Sequence, residues 1–226
     1  GEGVILNLGL EQDNVFGTGD RAEFVANSDN SDTVYRLSYL ERNFTMSGID
    51  RRYALSFRDR DADEADLADY GLKTTRASYG YRVPVTANDR VGADLTFEDV
   101  SLSFDQPTRI EERFAERNGT NNSNILADLS WTRDTRDSAV FPTRGGRQST
   151  SLEVALPGVS DLEYYRLSYE QSRFFPLTDR FTLALDGTLS YGDAYGAGET
   201  LPFYDNFYAG GIRTVRGYER NSLGPR

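Results

Sequence analysis

Apolar and polar residues alternate with a period of two along most of this chain, and that period leaves few folds open. Successive side chains of a strand point to opposite faces, so the period marks strands with two unlike surfaces. In "VILNLGLEQ", Val4, Leu6, Leu8 and Leu10 share one face, with Asn7, Gly9 and Glu11 on the other. Tyr35, Leu37 and Tyr39 oppose Arg36 and Ser38, and Tyr53, Leu55 and Phe57 oppose Arg52, Ser56 and Arg58. "NILADLSWT" sets Ile125, Ala127, Leu129 and Trp131 against Asp128, Ser130 and Thr132. "RFTLALDGTLSY" sets Phe181, Leu183, Leu185, Leu189 and Tyr191 against Thr182, Asp186, Thr188 and Ser190. Similar patterns cover 21–27, 73–83, 91–104, 148–156 and 164–174. The pattern predicts about ten strands and no convincing helix.

The connections sort into two kinds. "NVFGTGD", "NFTMSGI", "PVTAND", "DSAVFPTRGG" and "FPLTD" are compact. Those between them are more variable and often longer, among them "RDADEADLADYG", "DQPTRIEERFAERNGTNNS" and the segment from 192 onward. An antiparallel up-and-down meander with compact turns at one end and long loops at the other fits a transmembrane β-barrel. A soluble β-sandwich or lipocalin-like barrel shows the same alternation with its apolar face turned inward. The number and length of the strands, and Tyr and Phe near their ends, favour the membrane barrel. Ten strands alone leave two open edges, which hydrocarbon does not tolerate. The expectation is therefore an incomplete all-β barrel, a fragment with more strands beyond Arg226 and one before Gly1.

Composition closes off other classes. With no Cys and no His, the chain lacks disulfides, thiolate nucleophiles, Ser-His-Asp catalysis and the common zinc sites. A net charge of −11 argues against nucleic acid as a partner. Aromatics are plentiful, with 14 Tyr and 13 Phe, which suits strands in a chain this polar. No cofactor and no metal is expected. "DRDADEADLADY" spaces Asp59, Asp61 and Asp63 like a calcium loop, but Glu64 and Tyr70 stand where that motif needs Gly and Glu. It reads as a solvated acidic loop. Asp134 and Asp137 in "TRDTRDSAVFPTRGGR" are compensated by Arg133 and Arg136, so that stretch reads as a strand end and a tight turn. The glycines of "YGDAYGAGE" and "AGGIRTVRG" lack the phosphate-loop Lys-Ser/Thr.

The last stretch, "LPFYDNFYAGGIRTVRGYERNSLGPR", has neither strand nor helix period. Phe203, Tyr204, Phe207, Tyr208 and Tyr218 are too apolar for a freely solvated tip, and in a wide barrel the surface open to them is the lumen. Arg213, Arg216 and Arg220 would enter a lumen walled with carboxylates, where guanidinium pairs are strong and directional. Gly210, Gly211 and Gly217 permit the close backbone approach. A loop folded back into its own barrel, pinned by arginine, is the physical reading.

Those residues also carry a resemblance. "PFYDNFYAGG" followed by "TVRGYERNSLGP" resembles the sixth extracellular loop of the bacterial surface antigen, or outer-membrane insertase, superfamily. "GLEQDNVFGTG" is similar to its second strand and turn, and "DTRDSAVFPTRGG" to a signature at a periplasmic turn, carried by Asp137, Phe141, Pro142 and Gly145. "DADEADLADY" and "GVSDLEYYRLSYE" follow in the right order, so the resemblance covers the whole chain. "PFYDNFYAGG" narrows it to the assembly factors over two-partner-secretion transporters and TamA-like translocation barrels.

The resemblance implies a sixteen-stranded barrel in the outer membrane of a Gram-negative bacterium. Residues 1–226 would supply its second to eleventh strands, with 199–226 as most of loop six, and the POTRA domains would lie elsewhere. It implies that Val215, Arg216, Gly217 and Tyr218 anchor the loop in the lumen, supported by Phe203, Tyr204, Phe207, Tyr208, Gly210 and Gly211. Arg216 would bond carboxylates on later strands, with Asp128, Glu153, Glu170 and Asp186 as weaker supporting contacts. The implied function is insertion of unfolded outer-membrane proteins without covalent chemistry. The implied partners are those clients, accessory lipoproteins reached through POTRA domains, and outer-membrane lipid. A diffusion porin and an outer-membrane hydrolase are the readings from other classes. A porin needs no arginine-centred aromatic loop, and a hydrolase would need a site without His.

Overall fold

The computed structural model describes residues 5–29, 32–61, 70–105, 107–196, 198, 200–209 and 217–218. Ten strands form one sheet: β1 (Leu6–Val15), β2 (Asp20–Ser28), β3 (Asp32–Glu41), β4 (Asp50–Arg60) and β5 (Tyr70–Pro84), then β6 (Asp89–Phe104), β7 (Asn121–Asp134), β8 (Gly145–Ala155), β9 (Tyr164–Pro176) and β10 (Thr182–Ala194). Their order in space is their order in sequence, every neighbouring pair is antiparallel, and β1 and β10 are the edges of the described sheet. This is the all-β meander that the alternation predicts. Antiparallel order sends successive connections to opposite ends, so all the compact turns share one rim.

Register decides which residues share a face. Leu37 pairs with Leu55, Leu55 with Ala77, and Ala77 with Phe97, carrying the apolar face across four strands. That face is bare: Leu55 is 57% exposed, Leu185 53% and Leu189 73%. A soluble sheet would hide this surface; in a barrel it is the side that meets lipid. Its aromatics gather near the rims. Phe44, Tyr53, Tyr79 and Tyr81 form a chain at the compact-turn end, with ring centroids 5.1 Å apart for Tyr53 and Tyr79 and 6.3 Å for Phe44 and Tyr81. The Arg51 guanidinium lies 3.7 Å above the Phe44 ring. Such rings, apolar in body and polar at the edge, suit the membrane interface.

The opposite face carries ion pairs in the same rows. Arg58 pairs with Asp32, Arg76 with Glu98, and Arg82 with Asp94 at 2.6 Å. Buried apolar residues are confined to the end away from the compact turns. Tyr70, Leu72, Val100, Leu102 and Phe203 make one cluster; Leu126, Ala155, Leu162 and Tyr164 make another.

One element departs from expectation. The long connection after β6 contains a helix, α1 (Arg109–Asn118), where alternation predicts none. Local chemistry explains it: Thr108 accepts from the Glu111 amide, and the Glu111 carboxylate accepts from the Thr108 amide at 2.6 Å. This reciprocal cap meets two of the amides that the first turn leaves without partners. Gly119, at φ 73°, ends the helix as its amide donates to the Ala115 carbonyl at 3.0 Å. The Thr-x-x-Glu signature was in the sequence, inside a stretch read only for strands.

The two faces make opposite predictions for one substitution. In the full-length protein, Leu185→Arg puts a cation on the lipid face, at a cost of about 2–4 kcal/mol near the bilayer midplane. Thr188→Arg turns inward beside Glu170. The yield of heat-modifiable, membrane-embedded protein should fall sharply for the first and stay near wild type for the second.

Candidate functional site in the lumen

The polar face forms a trough of about 660 Å³. Arg21, Arg36, Arg52, Arg76 and Arg82 line it, with Glu23, Asp94, Asp128 and Glu153 opposite them in charge. The five guanidiniums stand on β2–β5 and, Glu23 apart, these carboxylates on β6–β8, so the wall presents a basic flank beside an acidic one to any charged loop group.

The segment after β10 returns to this wall. Tyr195 starts the return: its amide donates to the Glu163 carbonyl at 2.9 Å, and its hydroxyl donates to the Ala155 carbonyl. Pro202 is fully buried, and Phe203–Asp205 form a single 3-10 turn. The Phe203 ring then sits edge-on to Tyr70 at 4.8 Å and to Phe114 of α1 at 5.3 Å, with Phe104 at 6.2 Å. Tyr204 meets Phe114 at 5.8 Å and Phe203 itself at 5.3 Å, both edge-on. Edge-to-face pairs at these separations add stabilisation beyond burial. Helix α1 is thus the third side of the aromatic socket, which explains why its capped turn is positioned here.

Beyond the aromatics, Asp205 reaches β9. Its carboxylate accepts from Arg166 Nη1 at 3.2 Å, and the same guanidinium lies 3.4 Å from Glu153 of β8. Burial pushes the Asp205 carboxyl up to about 7; Arg166 opposes that shift, Glu98 and Glu153 add to it, and Arg76 opposes it. Phe207 lies under the Arg166 guanidinium, 5.1 Å from ring centroid to carbon.

Of the residues singled out from sequence, Phe203 is buried, Tyr204 and Phe207 are half-buried, and Tyr208 is 39% exposed with its hydroxyl donating to the Phe203 carbonyl. Tyr218 is 55% exposed, and Gly217 adopts φ 91°. Gly210, Gly211, Val215 and Arg216 lie outside the described residues, as do Arg213 and Arg220. Asp128 and Glu153 line the trough, while Asp186 accepts from the Ser172 hydroxyl at 2.6 Å. Sequence reasoning passed over Arg76, Glu98, Arg166, Asp205 and Phe114. Their only signal was a charged residue on a polar strand face or an aromatic in a loop.

At the compact rim the 135–144 turn is built on Asp137. Its carboxylate accepts from the Thr143 amide at 2.9 Å, the Arg144 amide at 3.2 Å and the Thr143 hydroxyl. Arg136 forks onto Asp134 at 2.9 and 2.7 Å. Gly145 turns with φ 88°, and a Cβ there would lie 2.0 Å from the Thr135 carbonyl oxygen, so no other residue fits. Phe141 is 83% exposed, and Pro142 is half-buried. Residues 62–69 of the acidic loop lie outside the described residues, and no metal-holding cluster of three His, Cys, Asp or Glu exists among the described ones.

The Omp85 superfamily domain matches residues 14–226. The chain belongs to that superfamily. It is 35% identical to the outer membrane protein assembly factor BamA of Neisseria meningitidis over 99% of its own length, and 26% identical to the BamA of Nitratidesulfovibrio vulgaris over 80%. A mouse sorting and assembly machinery component 50 homolog is 23% identical over 97%. The structure of BamA from Haemophilus ducreyi lacking POTRA domains 1–3 superposes with a TM-score of 0.89 at 25% identity, over 99% of this chain and 46% of that one. The chain spans 29% of the length of the meningococcal protein, 24% of the N. vulgaris protein and 45% of the mouse protein. Like its bacterial superfamily relatives, it is a protein of the Gram-negative outer membrane.

Two predictions follow from this geometry. Phe203→Ala removes the ring at the centre of the socket and should loosen the docked segment by about 3–5 kcal/mol, the usual cost for a buried Phe. The measurement is protease protection of the residues after Asp205 in the full-length protein, with Phe203→Leu retaining most of it. The second concerns pH. The Thr143 hydroxyl and amide, then the Arg144 amide, hold the Asp137 carboxyl at about 2. A carboxyl depressed in the folded turn stabilises it above its unfolded pKa of about 4 and loses that contribution as pH falls through about 2. Pepsin nicking at Phe141 should therefore rise between those two values, and Asp137→Ala should be nicked already at the upper one.

Proposed function

We propose that the full-length protein is the central insertase of the outer-membrane β-barrel assembly machinery, folding and inserting client barrels without covalent chemistry. The observation that carries this reading is 35% identity, over 99% of the chain, to a curated outer-membrane protein assembly factor. The fold supports it. The described wall is continuous, its inner face is polar, and a loop root is packed against that wall. In this reading β1–β10 are the second to eleventh strands of a sixteen-stranded barrel, and 199–226 are most of extracellular loop six. Val215, Arg216, Gly217 and Tyr218 anchor that loop, and Arg216 meets carboxylates on later strands. The partners are unfolded outer-membrane proteins, lipid, and accessory lipoproteins reached through POTRA domains. Catalysis is conformational: client strands pair by backbone hydrogen bonds at a weak seam between the first and last strands, a form of β-augmentation.

The test uses the full-length protein reconstituted in liposomes, with the folding rate of an unfolded client barrel as the readout. Wild type should accelerate folding over liposomes holding an unrelated barrel, and Arg216→Ala should lose most of that acceleration with its own barrel still heat-modifiable. A wild type no faster than the unrelated barrel would rule out the insertase.

A further inference from the structure

We propose that Arg166 of β9 is a positioning residue: with Asp205 it forms a latch between wall and loop that fixes where the segment after β10 enters the lumen. The polarity is the reverse of the expected motif, since here the arginine sits on the wall and the carboxylate on the loop.

The register around Arg166 is shaped for this. It pairs with Glu153 on the β8 side and with Gly192 on the β10 side. Glu153 balances the guanidinium while Gly192 leaves the other flank open. A Cβ at Gly192 would lie 3.1 Å from Leu201 Cδ2 and 3.3 Å from Arg166 Cγ, so the missing side chain makes the space in which Leu201 seats beside the arginine. The loop then passes over Arg166 and presents Asp205 to it at 3.2 Å, with Phe207 covering the guanidinium plane. One loop residue bonds the cation and a second stacks on it, a use for which Arg is suited and Lys is not.

Arg166 shares its Nη1 between Glu153 and Asp205, so the loop carboxylate is the side that depends on the bond. Arg166 Nε and Asp205 Oδ2 are buried and lack hydrogen-bond partners among the described residues. Side-chain exposure is 27% for Arg166 and 11% for Asp205, so opening the bond leaves the Asp205 carboxylate poorly solvated and without its cation. The aromatic socket cannot do this work alone. It grips Phe203 from β5, β6 and α1, whereas Arg166 and Glu153 lie on β9 and β8, across β7. Phe203 sets how deep the segment sits, and Arg166 sets its position around the wall. Asp205→Asn would keep an acceptor oxygen for the guanidinium without the charge.

The latch itself stands apart from the insertase reading; its consequence for client assembly rests on that reading. These 226 residues contain no Cys, so Ala209→Cys in the full-length protein in outer membranes, with any Cys elsewhere replaced by Ser, reports loop opening by its maleimide labelling rate. Arg166→Ala and Asp205→Ala should each raise that rate about tenfold, the size of one hydrogen bond to a charged group. The double variant should rise no further than either single one, and Asp205→Asn should label like the parent. Heat-modifiability confirms that the barrel has formed, and Asp205→Ala leaves the wall untouched. Unchanged rates, or a double variant whose increase is the product of the two single increases, would overturn the latch whatever assembly does. Faster labelling with undiminished client assembly would leave the latch standing and overturn its consequence for assembly, while a wild type without assembly activity would overturn the insertase and leave the latch standing.

Discussion

In hydrocarbon a backbone amide or carbonyl has no water to turn to, and each one left without a partner costs several kcal/mol. The sheet described here follows from that constraint. Every interior strand is paired on both sides along most of its length, and β5, β6 and β7 continue in register for more than a dozen residues. Once the backbone is satisfied strand to strand, side chains are free to differ completely between the faces, because alternation sends them to different solvents. That freedom makes a chain with 27% charged residues compatible with a membrane.

The same division sets up the lumen. Charges that lipid would reject collect on the inner face, where register brings them into pairs such as Arg76 with Glu98 and Arg82 with Asp94. Exposed ion pairs are worth little, but Glu98 is only 1% exposed, and a group so buried needs its partner. The wall thus offers ordered charge to whatever enters it. The segment after β10 uses this on one side through Asp205 and an aromatic socket on the other through Phe203. Helix α1 serves the socket by delivering Phe114 to the rim.

How much of this the sequence discloses depends on the distance over which each pattern acts. The strands were legible because alternation is local to each one, and the compact turns were legible from their Gly, Pro and Asp. The aromatics of "PFYDNFYAGG" marked the segment that returns to the wall, where Phe203 docks. The helix was legible in principle, through Thr108 and Glu111, but it lay in a connection scanned for strand periodicity. The Arg166–Asp205 contact was not legible. It joins residues 39 apart, and only the Gly192 gap and the return of the loop bring them together. A charged residue on a polar face gives no sign of which neighbour it will meet until the register is known.

The attachment of the loop root differs in kind from the construction of the wall, and the difference has a mechanical consequence. The wall is held by backbone ladders that run its whole length, whereas the segment at 200–209 is held chiefly by side chains: one aromatic ring in a socket, one carboxylate on an arginine, and one buried proline. Side-chain attachments can be broken without unpairing any strand, so the docked segment and the barrel have separable stabilities. A barrel whose strands must remain sealed against lipid while its lumen contents shift needs that separation. Had the loop been attached by adding a strand to the sheet, moving it would have opened the wall.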